Sequence, residues 1–220
     1  MSLLDERYSF FSKHGNYSDL LSTIKFRLAF EVRLNMAQSQ GLSDQTNSTS
    51  QQWESHLKEL LTAASPTSKV ALVGVGHPLR GDDYVGSYVI KGIIKARGST
   101  PSESVYLFDA EDNVERVITR LSRIGLKQVI FIDACEMGGR ACETKLLPVD
   151  ETQYPFFTTH GIPLKVLAEQ LLMGCQVWVL AIQPKDIEFG EPLSPELRDT
   201  ANYVSQVIAS SLEKEGRDIV

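Results

Sequence analysis

The sequence is poor in cysteine, in clustered positive charge and in long apolar runs, and each shortage removes a class of protein. Three cysteines occur in 220 residues, Cys135, Cys142 and Cys175, and no two form a CxxC pair. So sparse and odd a set argues against a disulfide framework or a thiolate zinc site, and fits a reducing cytoplasm. The formal charge is -6, from 22 Lys and Arg against 28 Asp and Glu, and no basic stripe interrupts the acidic balance. A nucleic-acid binder, whose affinity rests on neutralising phosphates, is therefore not expected. The N-terminus meets Asp5, Glu6 and Arg7 at once, unlike the apolar stretch of a signal peptide. The longest apolar stretch, 171–182, is interrupted by Gly174 and Gln176 and is too short to span a bilayer, so no membrane insertion is expected.

What is present has globular composition, 42% hydrophobic and 23% charged, and enough length for one domain with an appended segment. From Lys69 onward strand and helix signals alternate. Short apolar runs at 70–75, 105–108, 129–132, 144–149 and 177–182 read as strands. Val85, Tyr88, Val89, Ile93 and Ile94 predict an amphipathic helix over 84–97. Val114, Val117, Ile118 and Leu121 predict another, with Asn113 as its N-cap. Two more are expected around Leu164, Leu167, Ala168 and Leu171, and around Leu197, Val204, Val207 and Ile208. The fold class is α/β: a mostly parallel twisted sheet of about five strands, flanked by helices on both faces, with an N-terminal helical extension.

Residues 1–65 read differently. Leu20, Leu21, Ile24, Leu28 and Val32 share a helical face, and 38–52 is almost wholly polar, as a flexible connector would be. Trp53, Leu57, Leu60 and Leu61 suggest a further short helix. The expected division is a helical extension with polar linker over 1–65 and an α/β domain over 66–220.

Three segments carry chemistry. The first, Gly74-Val-Gly-His-Pro-Leu-Arg-Gly-Asp-Asp83, lies between a strand and a helix. Gly76 and Gly81 have the spacing of a P-loop's two glycines, but Asp82 and Asp83 stand where Lys and Ser/Thr would meet phosphate and magnesium. The dinucleotide fingerprint fails as well, with Leu79 at its third glycine position. A pair of carboxylates capping the following helix is the plain alternative. The second segment ends the third strand in Phe131-Ile132-Asp133, placing Asp133 at the carboxyl edge where open α/β sheets build their sites. Asp83 belongs to the same edge, and two carboxylates there repel unless a cation or proton sits between them. The third is Thr158-Thr159-His160-Gly161-Ile162-Pro163-Leu164, with His160 in a loop before a helix. A lone loop histidine ordinarily serves only the surface. Two carboxylates and an imidazole together suit a borderline divalent ion such as nickel, zinc, manganese or cadmium. His14, His56 and His77 lack comparable context, although His77 lies in the first loop.

The blocks VGxGHPLRGDDYVG, IFIDACEMGG, TTHGIPL and AIQPKDIEFGEPLSPEL, in that order, resemble the NiFe-hydrogenase maturation protease family from about Lys69 to Leu197. The resemblance implies an endopeptidase that removes the C-terminal peptide of a hydrogenase large-subunit precursor. It implies metal ligands at Asp83, Asp133 and His160, the metal being nickel supplied by the substrate, with zinc or cadmium able to substitute. Arg80 and Asp82, in the same loop, are candidates for substrate contact. The segment Gly139-Arg140-Ala141-Cys142 departs from the family pattern, and residues 1–65 lie outside the resemblance. Two other readings stand beside it: a cysteine hydrolase using Cys135, His160 and Asp133, and a nickel-sensing module that docks without cutting.

Overall fold

A computed structural model describes residues 49–97, 102–149, 166 and 172–213. The chain divides into two compact units, and the described residues belong to the larger, Thr46–Thr159 with Pro163–Val220. In chain order the elements are α1 (Thr49–Thr62), β1 (Val70–Val75), a 3-10 turn (Gly81–Tyr84), α2 (Val85–Arg97), β2 (Val105–Glu111), α3 (Val114–Leu121), β3 (Gln128–Ala134), β4 (Thr144–Pro148), β5 (Gln176–Ile182) and α4 (Pro195–Glu213). The five expected strands are all present. The helix expected around Leu164–Leu171 lies, apart from Val166, outside the described residues, as does the helical face from Leu20 to Val32.

The strands form one sheet in the order β2-β1-β3-β5-β4. β2, β1, β3 and β5 are parallel, and β4 joins antiparallel to β5 at the edge. The parallel strands read as continuous apolar runs because both their faces are covered. Leu72, Ile130, Ile132, Leu180 and Ile182 enter one cluster with side chains of α1, α2 and α4. Alternating residues such as Val73, Phe131 and Val179 are equally buried but stay out of that cluster. So do Val114, Val117, Ile118 and Leu121 of α3, whose N-cap Asn113 accepts a hydrogen bond from the Arg116 N–H at 3.1 Å, as its position predicted.

One expectation is corrected. The division at residue 65 cuts through the core: Trp53, Leu57, Leu60 and Leu61 of α1 are buried in the main cluster, against α4 and the sheet. The ring of Trp53 meets that of Tyr203 edge-on at 6.4 Å, and His56 meets Trp178 at 4.7 Å. α1 also begins at Thr49, inside the stretch read as a connector. Polar composition is the reason for the misreading: Thr49-Ser-Gln-Gln is the first turn of an amphipathic helix, and four polar residues cannot show that by themselves.

Candidate active site

The chain runs from β1 outward to β2 and then returns to β3 on the other side of β1, so the strand order reverses between β1 and β3. At such a switch point the connections leave in opposite directions and open a crevice above the carboxyl ends of the strands. The loop after β1 carries Asp83, and β3 ends with Asp133 and Ala134. Sheet topology therefore brings these two carboxylates to one edge.

Close packing lets the loop reach it. A Cβ on Gly86, in the first turn of α2, would collide with the Ile132 carbonyl, and one on Gly74 would collide with the Gly86 carbonyl. The helix thus rests its backbone directly on β1 and β3. Gly76 has φ of +123° and leaves no room for a Cβ beside the Asp83 carbonyl, which only glycine tolerates without strain. The buried Ser87 hydroxyl donates to the Gly76 carbonyl at 2.8 Å, and the Gly76 N–H donates to Glu111 O at 2.8 Å. The His77 N–H then donates to Asp83 Oδ2 at 3.1 Å, aiming that carboxylate.

Asp83 is half-buried. Asp133 keeps a little accessible surface as a residue, but its carboxyl is withdrawn from water. Burial first, and then the negative charge of Asp83, push the Asp133 carboxyl up to about 8, with the Ala134 N–H opposing. The two acids are electrostatically coupled, as their shared edge led one to expect. His160 lies outside the described residues, and among the described residues no group of three potential ligands comes together.

Asp82 has a different task from the one its sequence position suggested. It is fully buried. Its Oδ2 accepts the Lys185 and Asp186 N–H groups at 2.8 and 2.9 Å, and its Oδ1 accepts the Ser194 N–H at 2.8 Å. Burial pushes this carboxyl up, but the N–H donors outweigh it and hold it below the usual carboxylate value. It neither offers surface to a substrate nor caps its own turn; it clamps the β5–α4 loop onto the first loop. Arg80, the other suggested contact, is exposed.

Cys135 is buried, its thiol 3.6 Å from the Asp133 carbonyl. Burial, reinforced by the Asp133 charge, raises the thiol well above its ordinary value. A nucleophilic cysteine needs the opposite shift, so a cysteine hydrolase loses its central residue.

Sequence reasoning missed Gln183, the buried residue that follows β5. Its Oε1 accepts the Met137 and Gly139 N–H groups at 2.7 and 3.3 Å, and its Nε2 donates to Glu136 Oε1 at 2.9 Å. One amide thereby holds the loop after Asp133 in place. The signal was a polar residue closing an apolar strand inside the AIQPKD block.

By fold and site this is an open α/β protein with a pair of coupled carboxylates at its switch point. No family model matches the chain. It is similar to a protein of Methanocaldococcus jannaschii that carries the provisional name hydrogenase maturation protease, 27% identical over 161 residues, spanning 70% of this chain and 95% of the relative. It shares the fold of the NiFe-hydrogenase maturation protease HycI from Thermococcus kodakarensis, at a TM-score of 0.60 and 22% identity, over 72% of this chain and 99% of that one. The endopeptidase HycI from Escherichia coli superposes at a TM-score of 0.56 with 25% identity, over 67% of this chain and 92% of that one. The chain is thus similar to proteins named as hydrogenase maturation proteases, the family its four sequence blocks resemble.

Proposed function

We propose that this chain is a peptidase that removes the C-terminal peptide of a NiFe-hydrogenase large-subunit precursor after nickel has been inserted. The observation that carries the reading is the coupled pair Asp83 and Asp133 at the switch point, in a chain whose relatives are named as proteases and endopeptidases. Two coupled carboxylates, one half-buried and the other strongly desolvated, form a costly arrangement for a free protein, and a divalent cation would remove both the repulsion and the need for a proton. Oxygen donors joined by an imidazole fit nickel and also zinc or cadmium. Asp83, Asp133 and His160 would hold the ion, which arrives as part of the substrate. Bound there, the ion would mark a loaded precursor and would supply Lewis acidity toward a carbonyl or water.

The chain's own groups set the stage. The His77 N–H orients Asp83, the Asp82 clamp fixes the loop from which Asp83 projects, and Gln183 fixes the loop that follows Asp133. Apo and nickel-loaded precursor, incubated with the protein side by side, test the reading by the mass of the released peptide. Cleavage of the loaded form alone is the expected result. Equal cleavage of both removes nickel as the gate. Binding of loaded precursor without cleavage makes the protein a docking module instead.

A further inference from the structure

The clamp built on Asp82 is disproportionate to what it holds in view of the site alone. A fully buried carboxylate and three backbone donors are spent on the β5–α4 loop, and most of that loop is exposed. Further backbone bonds tighten the same junction: the Asp82 N–H donates to Asp186 O at 2.8 Å, the Gly81 N–H to Glu191 O at 2.9 Å, and the Gly190 N–H to Leu79 O at 2.8 Å. At the tip, the Glu188 N–H donates to Asp186 Oδ1 at 2.8 Å. Loops that serve only as connections have no need of such fixing. Held rigid, these two segments present Leu79, Ile187 and Phe189, which are 53%, 51% and 76% exposed. Large apolar side chains grouped on one exposed junction mark an interaction surface.

We propose that this lip, Leu79 with Ile187 and Phe189, is the docking surface for the protein substrate, and that it takes a segment in which apolar side chains are flanked by Lys or Arg. That its partner is the substrate rests on the peptidase reading. The choice of segment rests on charge. Asp186, Glu188 and Glu191 are exposed between and beside the apolar residues, against one exposed Arg80 next to Leu79, while Lys185 is engaged by Glu196 at 2.8 Å, so the balance around the lip is acidic. The lip is continuous with the site, since Leu79 and Asp83 belong to one loop. A preformed surface also spares the substrate the ordering cost that a floppy lip would impose on binding.

The full-length protein, the double variant Ile187→Ser with Phe189→Ser, and Glu188→Lys serve as the test. Binding of a short fluorescent peptide of alternating leucine and lysine is compared with that of its leucine–glutamate counterpart, and KM and kcat are measured on nickel-loaded precursor. The double variant should bind the lysine peptide at least about tenfold more weakly, and its KM should rise about tenfold with a smaller loss in kcat. Glu188→Lys should reverse the preference between the peptides, a result that a merely structural role would not produce. All the substituted side chains are exposed, so the variants should melt like the parent. Undiminished binding of the lysine peptide by the double variant, or an unchanged KM, overturns the proposal. If the parent protein cuts no precursor, the peptidase reading falls on its own and peptide binding still decides the lip.

Discussion

Asp82 and Asp133 sit at the same sheet edge, both withdrawn from water, and their carboxyls move in opposite directions. Burial pushes each up. At Asp82 the N–H groups of Ser194, Asp186 and Lys185 converge on the oxygens and reverse the shift. At Asp133 the nearest strong influence is another negative charge, Asp83, and the shift grows to about 8. Desolvation alone therefore does not separate a structural acid from a reactive one; the partners do. Asp82 is satisfied and immobile. Asp133 has the Ala134 N–H alone to oppose burial and the Asp83 charge, and so it tends to keep its proton.

The comparison presupposes a body rigid enough to hold both acids, and the largest expected effect comes from removing part of it. A chain beginning at residue 66 loses Trp53, Leu57, Leu60 and Leu61 from the core. At about 1.5 kcal/mol or more for each buried side chain, the loss is about 6 kcal/mol, comparable with the whole stability of a typical domain. It should be insoluble or melt without cooperativity in calorimetry, whereas a chain beginning at Thr46 should melt cooperatively. Next in size is the clamp. Asp82→Ala strands three N–H groups and should cost about 3 kcal/mol in urea unfolding. A loss below about 1 kcal/mol would mean that the clamp is not structural.

Much of this was legible in the sequence. Four of the five strands announced themselves because parallel strands covered on both faces must be apolar throughout, while β4 is a shorter antiparallel edge strand. Asp133 stood out as the one charge closing such a run, and Asp83 followed from its place after the first strand. Position in the chain alone does not tell which of two adjacent aspartates faces the crevice, and the choice of Asp83 over Asp82 rests on the family resemblance. Asp82 and Asp83 are equivalent in sequence, and they part only because the 3-10 turn sends one carboxylate toward residues 185–194, more than a hundred positions away. Gln183 stayed hidden for the same reason, since its partners arrive from the loop after β3. α1 was misplaced because its first turn is polar, and its apolar face has meaning only against α4 and the sheet.

The reactive half of the comparison is tested by Asp133→Asn, which keeps the shape and removes the charge. Cleavage of nickel-loaded precursor should fall about a hundredfold or more, since an amide is a far poorer metal ligand than a carboxylate. Asp83→Ala should behave alike, while Asp82→Ala should show its main effect in stability.

The most specific effect is on pH dependence, because the two acids should leave opposite marks on stability against pH. Asp82 has a folded-state value below the unfolded one, so its contribution is present above about pH 4 and is lost as pH falls through the folded value. Asp133 has a folded-state value near 8, far above the unfolded one. The folded protein keeps a proton there that the unfolded chain has already released. Its contribution is therefore intact below about pH 4, declines as pH rises, and stops declining once pH passes about 8. The slope cannot exceed about 1.4 kcal/mol per pH unit for one proton. Urea unfolding of the metal-free protein between pH 5 and pH 9 (roughly the span that brackets the folded value) should show this fall and its flattening, and Asp133→Asn should remove both. Added nickel should flatten or reverse this fall, since a bound cation displaces the proton and binding should strengthen as pH rises toward 8. A parent protein with no more pH dependence than Asp133→Asn would mean that Asp133 is ionised like an ordinary surface acid. The difference between the two aspartates would then lie in their neighbours alone and not in their readiness for a metal.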